Sequence, residues 1–108
     1  MEITDKIVEW IKILKTKPKM VIATSNIDYL ILRIYIEGYI DGVSLIVNRN
    51  IGKDITFWFQ EKIDQRSSNY WTAHIAFYYQ GKTEDELKAI LLDTTEMFFL
   101  ENPDWYKE

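Results

Sequence analysis

His74 is the only histidine in the chain, so a catalytic dyad or a histidine-bearing metal site would have to be built on it. It lies inside the aromatic run Tyr70–Tyr79, where a histidine reads more readily as a partly exposed structural residue. There is no cysteine, which removes thiolate nucleophiles, thiolate metal ligands and disulfides. No serine stands in a Gly-x-Ser-x-Gly elbow. Glu84, Asp85 and Glu86 are adjacent, so around a helix their side chains point in different directions. That is poor geometry for a paired acid and base, and good geometry for a helix N-terminus. Asp93 and Glu96 share a helix face, but the Glu-x-x-His motif of di-iron bundles is absent. Residues 41–52 lack the oxygen-ligand spacing of a calcium loop, and neither a phosphate loop nor Gly-x-Gly-x-x-Gly occurs. These residues predict no enzyme, no metal and no cofactor.

The elements that would position these groups read as mainly α, a compact bundle of about five helices in a single domain, 1–108. Thr4 caps a first helix over 4–16, with Ile7, Val8, Trp10, Ile11 and Leu14 at helical spacing, and Pro18 ends it. Met20–Ala23 reads as an irregular link. Ser25 and Asp28 suggest a capping box for a central, mostly buried helix over 25–42 that Gly42 could end. Gly38 inside it predicts a close approach of a neighbouring helix, since glycine there otherwise costs about 1 kcal/mol. Asp54 caps a helix over 54–65. Residues 69–80 fit both periods; helix is the preferred reading. The alternative is an α+β fold in which 69–80 pairs with 43–47 in a short two-stranded sheet. Thr83-Glu84-Asp85-Glu86 is a capping box opening a last helix over 83–101, with Leu87, Ile90, Leu91, Thr94, Met97 and Phe98 inward. Asn102-Pro103 stops it and leaves Trp105 and Tyr106 in a tail.

The 108 residues carry a net charge of −4, which disfavours nucleic acid as the main partner. Lys12, Lys15, Lys17 and Lys19 gather early, and the acids gather late. No apolar run approaches the roughly 20 residues of a membrane span, and no signal peptide is seen. With no cysteine, a reducing cytoplasm is the expected location. Four Trp, seven Tyr and five Phe exceed what so small a core readily hides; they read either as rings at a binding surface or, as their spacing along helix faces favours, as large half-buried core residues.

Lys17, Pro18, Met20 and Ile22, then Leu30, Gly38 and Tyr39, then Phe57–Phe59, Trp71, and Phe98 with Phe99 follow one another in a suggestive order. This order resembles a family of small, uncharacterised bacterial proteins with a Lys-x-Arg-Pro-x-Met-Tyr-Ile-like turn. Its members look like immunity proteins, which neutralise a toxin delivered by a neighbouring cell. The chain departs from that pattern at Lys19, Val21 and Ala23, where Gly, Tyr and Gly stand in the family. The same turn is similar to the Arg-Pro-Gly-Met-Tyr-Ile-Gly element of gyrase-type ATPases, but the chain is too short for their nucleotide-binding domain and lacks its glycine motifs.

The resemblance implies a cytoplasmic, non-enzymatic protein that occludes a cognate toxin. Acids would steer a basic toxin surface and rings would anchor it. The surface expected to do so is the acidic last helix and tail: Glu84, Asp85, Asp93, Glu96 and Asp104, with Trp105 and Tyr106 as candidate anchors; the alternative is that these acids only solubilise a helix and the tail caps the core. The alternative function is a regulatory or scaffolding interaction domain, homodimeric through exposed aromatics.

Overall fold

A computed structural model describes residues 3–24 and 26–107. Five α-helices follow in order: α1 (Ile3–Thr16), α2 (Tyr29–Val47), α3 (Ile51–Ile63), α4 (Trp71–Tyr78) and α5 (Glu84–Glu101). A single 3₁₀ turn, Pro18–Met20, links α1 to the segment before α2. No strand occurs among the described residues, and no helix there is long and apolar enough to cross a membrane. The extents, 38 × 34 × 20 Å, describe a slab two helices thick. The mainly helical reading therefore holds, and residues 43–47 and 71–78 are helix and not a strand pair.

Several boundaries differ from expectation for local reasons. The Ser25 cap lies outside the described residues. Helix α2 starts at Tyr29, because the Asp28 carboxylate accepts the Ile31 amide and Asp28 itself is extended. It also runs through Gly42 to Val47 and ends only where Asn48 adopts the left-handed conformation, φ 55°. Asp54 is not the cap of α3. Asn50 takes that role by accepting the Lys53 amide, and Asp54 falls in the first turn and pairs with Arg49 at 2.8 Å. The Thr83–Glu86 capping box forms as expected, with both reciprocal bonds present.

Ile7, Ile11 and Leu14 of α1 meet Leu32, Ile36 and Ile40 of α2, Ile51, Ile55 and Phe59 of α3, Trp71 and Ile75 of α4, and Leu91, Phe98 and Phe99 of α5 in one core. The buried face of α5 is rotated from expectation. Leu92, Thr95 and Phe99 point inward, and Met97 is partly in solvent. Thr95 is tolerated there because its hydroxyl donates to the Leu91 carbonyl. Gly38 is not a site of close helix approach. It is exposed, and a Cβ built on it meets nothing within 4 Å. Gly52 is the glycine with a tight neighbour, the Tyr70 ring.

The entry to α2 is tied down by other helices. Tyr29 donates its backbone amide to Glu84 and its hydroxyl to the Thr72 carbonyl at 2.7 Å, and Lys88 reaches the Ile27 carbonyl at 2.8 Å. Burial holds the Tyr29 phenol well above the usual tyrosine range, and the Tyr39 and Tyr70 phenols are pushed the same way by burial.

Tyrosines whose folded pKa is raised bind their protons more tightly in the folded chain than in the unfolded one. Their stabilisation is complete below the ordinary value near 10 and fades as pH rises from there towards the raised value. Urea midpoints are thus expected to fall steeply above about pH 10. Tyr29→Phe is expected to cost about 1 kcal/mol at neutral pH and to flatten that alkaline slope. Parallel slopes for the two proteins would show that Tyr29 is not responsible.

Candidate interaction surface

His74 and Glu37 are each bound to other side chains of the fold, although His74 Nδ1 is buried with no hydrogen-bond partner among the described residues. His74 is fully buried, not partly exposed. Its Nε2 lies 3.0 Å from Gln65 Oε1, and its ring packs edge-on against Phe59 and Tyr78. Glu37 accepts from Arg33 Nε at 2.6 Å and from the Thr72 hydroxyl, which joins α2 to α4. No group of three or more histidine, aspartate or glutamate side chains is placed to hold a metal among the described residues.

The seven residues expected to bind a partner do not form one surface. Glu84 and Asp85 open α5, Asp93 and Glu96 stand midway, and Asp104–Tyr106 lie beyond its end. The helix itself spans about 27 Å at 1.5 Å per residue. Most of these acids already have partners. Glu84 accepts the Tyr29 amide. Asp93 and Glu96 close on Lys15 from two sides, at 2.6 and 2.8 Å, and pin α1 to α5. Burial lowers the Lys15 pKa, but the two carboxylates outweigh it and hold the ammonium above its usual range. Asp104 pairs with Lys107 at 3.2 Å. Asp85 alone of the group stands almost wholly in solvent, 3.4 Å from Lys88.

The expectation that Trp105 anchors a partner is corrected: the ring is 6% exposed and packs edge-on against Phe99, completing the core beneath α5. Tyr106 is half-buried against Trp105, with Lys107 over its ring.

Two surfaces escape a reading of the sequence. The first is an open groove of about 440 Å³ between α1 and the end of α5. Val8, Phe99 and Leu100 line it, and Asp5, Glu9 and Lys12 rim it. Asp5 and Glu9 are exposed and have no hydrogen-bond or ion-pair partner among the described residues. Their signal in the sequence is present, since they lie four apart on the polar face of α1. Ile13, Met97 and Leu100 stand in solvent on the same two helices.

The second is the outer face of α2, where Leu30 is 57% exposed, Ile34 59%, Leu45 85% and Ile46 84%. Gly38, Asp41 and Gly42 are exposed between them. The expectation of a mostly buried helix fails here, because only the side of Tyr29, Leu32, Ile36 and Ile40 meets the core. Exposed rings occur elsewhere, at Phe57, Phe77 and Tyr78.

Comparison with protein-family models, curated proteins and solved structures gave no match for the chain.

Proposed function

We propose that the chain is a non-enzymatic binding protein of the immunity type, which neutralises a cognate bacterial toxin in the cytoplasm by covering its working surface. The observation that carries the reading is the groove between α1 and α5. There, Asp5 and Glu9, acids with no hydrogen-bond or ion-pair partner among the described residues, stand beside Leu100, an apolar side chain left in solvent, and Ile13 and Met97 are exposed elsewhere on the same two helices. Unpaired acids supply long-range attraction to a basic surface, and desolvated apolar groups hold it after contact. The resemblance at Lys17, Pro18, Met20 and Ile22, at Gly38-Tyr39 and at Phe98-Phe99 supports the same reading. A regulatory or scaffolding domain is the second reading, favoured by the apolar outer face of α2.

The test is co-expression with the product of the adjacent gene. The wild type is expected to restore growth and to co-purify with that product. Asp5→Lys/Glu9→Lys is expected to slow association by about tenfold and to reduce its dependence on salt, because steering charges act mainly on the on-rate. Reversing Asp93 and Glu96 is less informative, since it also frees Lys15 and loosens α1 from α5. A neighbour that is harmless alone, or a wild type that neither rescues nor co-purifies, removes the immunity reading. Rescue with an unchanged on-rate in the double variant keeps the function and moves the surface, with Asp85→Lys next in line.

A further inference from the structure

The outer side of α2 carries an i, i+4 ridge of uncharged residues over more than four turns, with Asp41 beside it, and the ridge is centred on Gly38. Leu30 stands eight residues before Gly38 and Ile46 eight after. Ile34 stands four before and Gly42 four after. All five positions are exposed, and Cβ atoms built on Gly38 and Gly42 meet nothing within 4 Å, so the middle of the ridge is a shallow saddle. Large aliphatic side chains at this exposure are costly to leave in water, and contiguous apolar faces mark association surfaces.

We propose that this face is a homodimer interface, in which the α2 helices of two copies cross antiparallel about a twofold axis at Gly38. The i+4 ridge is one along which helices pack, and glycine at the crossing lets the two backbones come close. Rotation about the axis sets Ile34 of one copy over the hollow at Gly42 of the other, and Leu30 against Ile46. Leu45, on the centre line of the face, is covered by Leu30 and its neighbours. An isologous contact needs such matching of large to small.

The charges agree with a second copy as the occupant. Arg33 lies five residues before the axis and Asp41 three after. Across the interface the two therefore differ by two residues, about 3 Å along the helix, within reach of a guanidinium. Arg33 uses Nε on Glu37, which leaves its two terminal amino groups for a carboxylate. Asp41 has no hydrogen-bond or ion-pair partner among the described residues. Each dimer would thus gain two Arg33–Asp41 pairs flanking the apolar seam. A parallel crossing would instead stack Arg33 on Arg33 and Ile34 on Ile34.

Sedimentation velocity of the full chain, from micromolar to near-millimolar concentration, tests the proposal. The wild type is expected to dimerise. Ile34→Glu/Leu45→Glu is expected to be monomeric throughout. Gly38→Gln is expected to weaken the dimer by at least about tenfold. Its dilute monomer should melt no lower than wild type, since glutamine is a better helix former than glycine and meets no neighbour there. That pairing of results separates a lost interface from a lost fold.

Single-cysteine variants read the geometry, because the chain has no cysteine of its own. Gly38→Cys is expected to link to itself on mild oxidation. Ile46→Cys is not, because its two copies lie about 24 Å apart along the crossed helices, whereas a mixture with Leu30→Cys links. A wild type that stays monomeric at the highest concentration overturns the proposal and leaves the face to a different protein or a lipid surface. A dimer that survives Ile34→Glu/Leu45→Glu, or self-linking at Ile46→Cys, overturns it equally.

Discussion

Trp71→Ala is expected to remove about 3–5 kcal/mol of stability, the range for truncating a fully buried Trp or Phe. A protein of this length has roughly 5–15 kcal/mol in total, so the variant should sit near the edge of folding. Trp71 is fully buried and opens α4, a helix of only eight residues. Two turns do not hold themselves in water, so α4 depends on what its side chains bury. Trp71, Thr72, His74 and Ile75 are all buried, and the Trp71 amide is tied back to the Thr56 hydroxyl of α3. Truncation leaves a cavity where the indole packed, while the backbone tie to Thr56 is kept, so the loss reads the buried side chain alone.

Trp71→Phe is expected to cost less. The indole Nε1 is buried with no hydrogen-bond partner among the described residues, so phenylalanine removes an unmet donor while keeping most of the ring. Guanidinium unfolding curves of the three proteins check the order. Equal losses for Trp71→Ala and Trp71→Phe would show that a phenyl ring recovers none of the packing of the indole.

Gly52→Ala carries the second large effect, and its sign opposes helix propensity. Alanine in place of glycine ordinarily favours a helix by about 1 kcal/mol. At Gly52 a Cβ falls 2.1 Å from the Tyr70 hydroxyl and 2.9 Å from Cζ of the same ring. The ring must leave, and it is half-buried beside Trp71, so a net loss of about 1–3 kcal/mol is expected. Tyr70→Ala clears the space, and in that background Gly52→Ala should become neutral or stabilising. A double-mutant cycle in chemical denaturation measures the coupling, and additivity within about 0.5 kcal/mol would rule out the contact.

Gly38→Ala supplies the opposite control. Nothing surrounds its Cβ, so dilute monomer should gain up to about 1 kcal/mol. A glycine in an apolar run reads naturally as a crowded helix contact within the monomer. At Gly38 that reading fails because the run is longer than the core it covers. Five helices in a slab bury one side of α2, and the apolar residues of the other side remain outside. Composition cannot tell which half of an all-round apolar helix faces in.

What the sequence determined by itself is local. Side chains within three or four residues of a helix end settle its cap, so Thr83 with Glu86 and the stop at Asn102-Pro103 were legible. Pro18 likewise ends α1, since its ring bars the next turn. The all-helical class followed from the lengths and spacings of the apolar runs, with α4 legible only as a preference, because its apolar residues lie all round it.

Tertiary structure decided everything that depends on distant partners. It carried α2 past Gly42, whereas the caps at Asp28 and Asn50 are local, each side chain accepting the amide three residues on. It buried His74 and Trp105, and committed Glu84, Asp93 and Glu96 to Tyr29 and Lys15. A carboxylate is free for a partner only when no internal cation or amide claims it. Such a claim comes from residues many tens of positions away in the chain, brought close only when the helices pack. The same packing left Asp5 and Glu9 without a partner among the described residues and turned Leu30, Ile34, Leu45 and Ile46 outward.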